Sequence, residues 1–141
     1  MPDARLKKYG TFHHLGVAVK DFDRSVKFYE GLGYASSRRL VDPLQKVELI
    51  MLTSETLPAI ELIRPTGSDS PASRYLKDSD EAMYHICYEV SDLKKMLAAL
   101  QATHRVVCVS GQKPAALFGG SAVSFYYIQG VGLVEFIEKR S

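Results

Sequence analysis

The sequence predicts an α+β fold made of two β-α-β-β-β modules within one domain. Three observations carry this. The first is an internal repeat: HLGVAVKD, from His14 to Asp21, returns as HICYEVSD, from His85 to Asp92, at an offset of 71, and IELI, from Ile60 to Ile63, returns as VEFI, from Val134 to Ile137, at an offset of 74. The second is that both opening segments alternate as strands do and run through an aspartate into an amphipathic stretch. The third is composition: 141 residues, 46% hydrophobic and 24% charged, match one globular domain with enough apolar surface for a core.

The elements follow in order. Phe12 to Val19 has the alternation and β-branched content of a strand, and Asp21 or Asp23 is placed to cap the next helix. Phe22, Val26, Tyr29 and Leu32 recur on one helical face, and Gly31 and Gly33 end the pattern, so the helix is expected over 22–32. Three strands are expected next, at Tyr34 to Val41, Lys46 to Leu52 and Ala59 to Arg64, punctuated by Asp42-Pro43 and Leu57-Pro58. The second half repeats the plan: a strand from Met83 to Val90, a helix from Asp92 to Gln101, and strands near 104–109, 121–128 and 131–138. Between them, RPTGSDSPASRYLKDSDEA predicts a loop with a short helix starting near Pro71. One domain over 10–141 is expected, with modules 10–65 and 82–138 joined by a linker at 66–81.

Charge and hydropathy narrow the partners. Eighteen basic against sixteen acidic residues give a net charge of +2, too small a field to attract nucleic acid. No run approaches the roughly 18 apolar residues that span a membrane, and MPDARLKKYG lacks the apolar stretch of a signal peptide, so a cytoplasmic protein is expected. Cys87 and Cys108 each lie in an apolar run, which predicts two buried free thiols in a reducing compartment.

The repeat also selects chemistry. On an alternating strand His14 shares a face with Gly16 and Ala18, and His85 shares one with Cys87 and Glu89. Glu61 lies between Ile60 and Leu62, and Glu135 between Val134 and Phe136, each in the middle of an otherwise apolar strand. A single strand histidine is ordinarily a core or rim residue, and a single strand glutamate ordinarily marks a solvent face. Matched histidines and glutamates in both halves are another matter, because drifting surface positions do not keep such a pattern. If the modules pack about a pseudo-twofold axis, two imidazoles and two carboxylates meet, a donor set that suits a divalent cation and leaves two octahedral positions open.

FHHLGVAVKDFDRSVKFYEGLGY, IELIRPTGSDSPASRYL, MYHICYEVSDL and GVGLVEFIE, in that order, resemble the vicinal oxygen chelate (glyoxalase/bleomycin resistance/dioxygenase) superfamily, most of all its methylmalonyl-CoA epimerase branch. The likeness runs from about residue 12 to about residue 138. It implies a cupped eight-stranded mixed sheet around one divalent ion, with His14, Glu61, His85 and Glu135 at the ligand positions. Cobalt, nickel, manganese and zinc all suit that set. It implies a metal-dependent isomerase that epimerises a 2-substituted malonyl-CoA or related acyl thioester through an enolate, and, by analogy, a homodimer. It further implies a carboxylate base on the third strand, where Glu48 in QKVELIML matches, with Glu135 as the second proton-transfer group.

The chain departs from that branch where SFYYIQGVG replaces a Phe-Leu-His-Pro-Lys type segment, and in the loop KPAALFGGSAVSF, both of which bear on the acyl group. Two other functions share the fold. A glyoxalase I-like lactoylglutathione lyase uses a similar ligand set, and a non-catalytic antibiotic-binding protein commonly lacks the ligands that this chain retains. A ring-cleaving dioxygenase, with two histidines and one carboxylate, leaves the fourth donor unexplained. Arg38, Arg39, Arg74 and Lys113 are candidates for coenzyme A phosphates, Tyr126 and Tyr127 for cleft walls, and His104 for capping a helix C-terminus.

Overall fold

The computed structural model describes residues 4–139, so 140–141 of the expected domain lie outside the described residues. The chain is α+β, with two α-helices and nine strands among the described residues. The described residues divide into two compact units, one of residues His14–Tyr84 and the other of residues 4–13 together with 85–139.

In the unit His14–Tyr84, β1 (Gly10–Val19) enters at its fifth residue and leads into α1 (Phe22–Gly31), followed by β2 (Ala35–Ser36), β3 (Leu40–Asp42), β4 (Val47–Thr53) and β5 (Ile60–Pro65). β1 lies parallel to β5, which is antiparallel to β4, and β4 also pairs with β2 and β3. The expected N-cap is present: the Asp21 carboxylate accepts a hydrogen bond from the Arg24 amide at 3.2 Å. Gly33, at φ 99°, ends the helix in the left-handed region. Phe22 then packs against Val19, Tyr34, Ile50, Leu52, Ile60 and Leu62. Removing each such side chain from water stabilises by about 1.5–3 kcal/mol.

The strand expected from Tyr34 to Val41 is two short ones. Ser37 interrupts it by exchanging bonds with Met51, its amide donating to the Met51 carbonyl at 2.8 Å and its hydroxyl accepting from the Met51 amide at 2.9 Å. β3 then turns back into β4 through Asp42, whose buried carboxylate accepts from the amides of Leu44 and Gln45. The short helix expected near Pro71 is a 3-10 turn, Pro71–Leu76.

The other unit contains β6 (Glu81–Val90) from His85 on, α2 (Leu93–Gln101), β7 (Val106–Pro114), β8 (Ala122–Ile128) and β9 (Gly132–Glu138). β6 is parallel to β9, β9 antiparallel to β8, and β8 antiparallel to β7, the same plan as the first half. Asp92 caps α2 at the Lys95 amide, 3.1 Å away, and Glu138 accepts from the Leu93 amide at 2.9 Å, placing a second negative charge at the helix N-terminus. Leu93, Met96 and Leu100 bury against Val90, Tyr126, Val134 and Phe136. A Cβ on Gly10 would sit 2.7 Å from the Met96 methyl, the free end of a flexible side chain, and 3.3 Å from Val90 Cγ1, so the strand lies close against the packing beneath α2.

β7 runs to Pro114, past the end expected for it, because register shifts between Cys108 and Ser110 and between Ser110 and Lys113 carry it over two irregularities. One expectation for the thiols needs correction. Cys87 is buried, but Cys108 is exposed, since β7 pairs with β8 alone among the described strands of its unit. No helix among the described residues is long and apolar enough to cross a membrane.

Candidate metal centre

Each unit carries one histidine–glutamate pair. In the first, parallel pairing sets Gly16 beside Glu61, and antiparallel pairing sets Met51 on its other side, so these share a sheet face with His14, two residues before Gly16. Val17, Leu62 and Ile50 take the opposite face, toward α1. His14 Nε2 lies 3.7 Å from Glu61 Oε1, with side chains 0% and 5% exposed.

The second unit repeats this one for one. Cys87 pairs with Glu135 across β6 and β9, and Phe125 flanks Glu135 on β8. His85 Nε2 lies 3.0 Å from Glu135 Oε1, with side chains 1% and 2% exposed. The His85 ring meets the Phe125 ring edge to face at 5.3 Å between centroids. Sequence reasoning missed Phe125, although strand alternation and its place beside the glutamate strand signal it.

A carboxylate and an imidazole this deeply buried are costly unless their charge is answered. Two nitrogen and oxygen donors sharing an ion at about 2.0–2.2 Å stand roughly 3.0 Å apart at a right angle and about 3.4 Å apart at a tetrahedral one. The observed 3.0 and 3.7 Å bracket these spacings. Each pair, His14 with Glu61 in one unit and His85 with Glu135 in the other, therefore has the donor types, burial and spacing of half of a divalent-metal ligand set.

Glu48 is a different case, and the expectation for it is corrected. The register opposes Glu48 to Arg64 and Ile50 to Leu62, so Glu48 projects from the α1 side of β4, opposite the face of Glu61. There its Oε1 accepts from the Arg64 guanidinium at 2.6 Å, and its Oε2 stands 3.9 Å from Arg39. Both guanidinium groups lie over the Phe22 ring, at 5.1 Å for Arg39 and 5.4 Å for Arg64, and Arg39 also reaches Asp23 at 3.6 Å. Strand parity alone could have placed Glu48 with Ile50 and Leu52, but not told which face held Glu61.

The remaining candidates divide. Tyr126 is core and Tyr127 is half exposed. His13, the neighbour of His14 in sequence, sets its ring perpendicular to that of Phe118 at 5.1 Å between centroids. His104 closes α2 with its backbone amide, donating to the Leu100 carbonyl at 2.8 Å, while its ring stands beside the Thr103 hydroxyl rather than a terminal carbonyl. Arg38, Arg74 and Lys113 are exposed, and Arg39 is engaged by Glu48 and Asp23.

Residues 13–125 match the family model described as "Glyoxalase/Bleomycin resistance protein/Dioxygenase superfamily". The chain belongs to that superfamily. It is similar to an ethylmalonyl-CoA/methylmalonyl-CoA epimerase of Cereibacter sphaeroides, 30% identical over 78% of this chain and 83% of that protein. The mitochondrial methylmalonyl-CoA epimerase of Mus musculus is 31% identical over 67% of this chain and 53% of that protein. The chain thus spans about half the length of the mammalian relatives it matches. Among solved structures, a variant of the Streptomyces coelicolor methylmalonyl-CoA epimerase in complex with 2-nitronate-propionyl-CoA superposes with a TM-score of 0.70, at 25% identity, over 94% of this chain and 99% of that one.

Proposed function

We propose that the two pairs, His14 with Glu61 and His85 with Glu135, close on one divalent ion, and that the chain epimerises a 2-substituted malonyl-CoA such as methylmalonyl-CoA. The observation that carries this reading is the duplication of a buried His–Glu pair at repeat-equivalent strand positions, in a chain whose relatives are named as epimerases of that substrate class. Two carboxylates and two neutral imidazoles carry two negative charges, which a divalent cation cancels. Cobalt, nickel, manganese and zinc are the proposed ions.

When bound, the ion supplies a fixed positive charge beside the thioester carbonyl and carboxylate, which makes the carbon between them more acidic. The residues do the rest. Glu135 takes the α-proton, in a site from which its burial excludes bulk water. With Glu48 facing α1, the repeat leaves Glu61 as the equivalent carboxylate on the other side: it delivers a proton taken up from solvent while Glu135 gives the α-proton up to solvent, so the centre is inverted, solvent hydrogen enters the α-carbon and both glutamates return to their starting state. His14 and His85 hold their glutamates in place. Phe125 excludes water from the His85 side.

The reading is tested by incubating metal-loaded protein with methylmalonyl-CoA in deuterium oxide. Exchange at the α-carbon together with racemisation supports it. Absence of exchange, with turnover of the methylglyoxal–glutathione hemithioacetal instead, would assign the chain to lyase chemistry. We place the activity in the cytoplasm of the cell, in keeping with an exposed free thiol at Cys108. A homodimer is the proposed assembly, and light scattering that returns the monomer mass would overturn it.

A further inference from the structure

On the pair-bearing face of the second unit, three adjacent strands each carry an apolar residue two positions from the site. Cys87 follows His85 on β6, Ile137 follows Glu135 on β9, and Val123 precedes Phe125 on β8, opposite Ile137. Two strand residues span roughly 7 Å, within reach of a short alkyl group whose neighbouring oxygens are held at the pair. These three side chains and Ala115 form one buried apolar cluster, and Phe118 packs over it.

The covering loop is held together by its own backbone. Ala115 donates to the Ser121 carbonyl at 3.0 Å and accepts from the Gly120 amide at 2.9 Å. A 3-10 turn, Ala116–Phe118, ends in Gly119 and Gly120, both with positive φ. That double reversal returns the chain to β8 and leaves Phe118 packed against the cluster, its ring perpendicular to that of His13. A carboxylate or phosphate would lose its hydration over such a surface with nothing to replace it, whereas an alkyl group gains by burial.

We propose that Phe118 sets the size of the α-substituent that this chain accepts, its ring occupying the space over the buried cluster of Cys87, Val123 and Ile137 that a longer alkyl group would need. The proposal rests on the epimerase reading for its substrate, and the ring that limits the pocket is this chain's own.

The test uses cobalt-loaded wild type, Phe118→Ala and Phe118→Leu, each first checked for folding by circular dichroism. Calorimetry gives the Kd for methylmalonate, ethylmalonate and butylmalonate, and deuterium exchange gives kcat/KM for methylmalonyl-CoA and ethylmalonyl-CoA. One methylene in an apolar pocket is worth 10–200-fold, so the ethyl-to-methyl ratio is expected to rise about tenfold or more in Phe118→Ala, with Phe118→Leu between. Ratios within about twofold of wild type in both assays would overturn the role of Phe118. A shifted calorimetric ratio without α-proton exchange by wild type would sink the epimerase reading and leave the pocket standing. Neither alkylmalonate binding nor exchange by wild type would overturn both. Should Phe118→Ala fail to fold, the ratio in Phe118→Leu decides.

Discussion

The two halves keep the same helix-side architecture and differ on the other face. In each, an aspartate-capped helix buries an apolar stripe against its sheet, led by Phe22 in the first half and by Leu93, Met96 and Leu100 in the second. On the pair-bearing face the histidine and glutamate are retained, but their shared neighbour is not: Gly16 sits beside Glu61, and Cys87 sits beside Glu135. The first half finishes with a broken strand and a tight Asp42 turn, the second with a long irregular strand and the Phe118 loop. Duplication preserved the donors and let their surroundings diverge. Holding an ion constrains both halves alike, while shaping a substrate needs them unlike.

The sharpest way to break this comparison is to remove one donor from each half. His14→Ala or Glu135→Ala is expected to abolish metal retention, read by elemental analysis, and to lower exchange by on the order of a thousandfold, since the preorganised charge is lost. Retention of a full complement of metal in either variant would separate the pairs. Glu61→Gln keeps the shape and an oxygen donor but loses the charge, so a fall in metal affinity of roughly 10–100-fold is expected, measured by competition with a chelator.

A third variant tests the two faces of one strand. Glu48→Gln is expected to leave exchange within about twofold and to cost about 1 kcal/mol of stability in denaturant unfolding, the value of a charged hydrogen bond discounted for the partial exposure of both partners. A collapse of exchange with folding intact would restore Glu48 to the chemistry. The smallest effect concerns Lys46, at φ 57° in the turn before β4. Lys46→Gly relieves a left-handed backbone and is expected to stabilise by about 0.5–1 kcal/mol. The hydrogen bond and charge of Lys46 hold the exposed Asp69 carboxyl below its ordinary range. Its depressed value favours folding above the unfolded pKa and loses that contribution as pH falls through the folded one. In the variant, titration of Asp69 by NMR should move upward.

Most of the fold was legible because alternation, aspartate caps and the repeat all pointed the same way. His14, Glu61, His85 and Glu135 were legible for the same reason, as residues that two copies share. What parity cannot supply is which face of β4 meets which neighbour. Glu48 therefore looked suited to chemistry until its register against Arg64 was known. Ser37 and the irregularities of β7 were hidden because they depend on cross-strand partners, and Cys108 looked buried because its run is apolar while its strand stands at an edge.

The irregularities of β7 have one more consequence, for how the protein behaves at high concentration. Val107 and Val109 are exposed on a nine-residue strand, the kind of apolar rim along which chains line up into fibrils. Two interruptions of register put a kink and added twist into that rim, so that a second straight strand cannot follow it for long. The same departures that lead the chain toward its Phe118 loop therefore also act as its guard against aggregation.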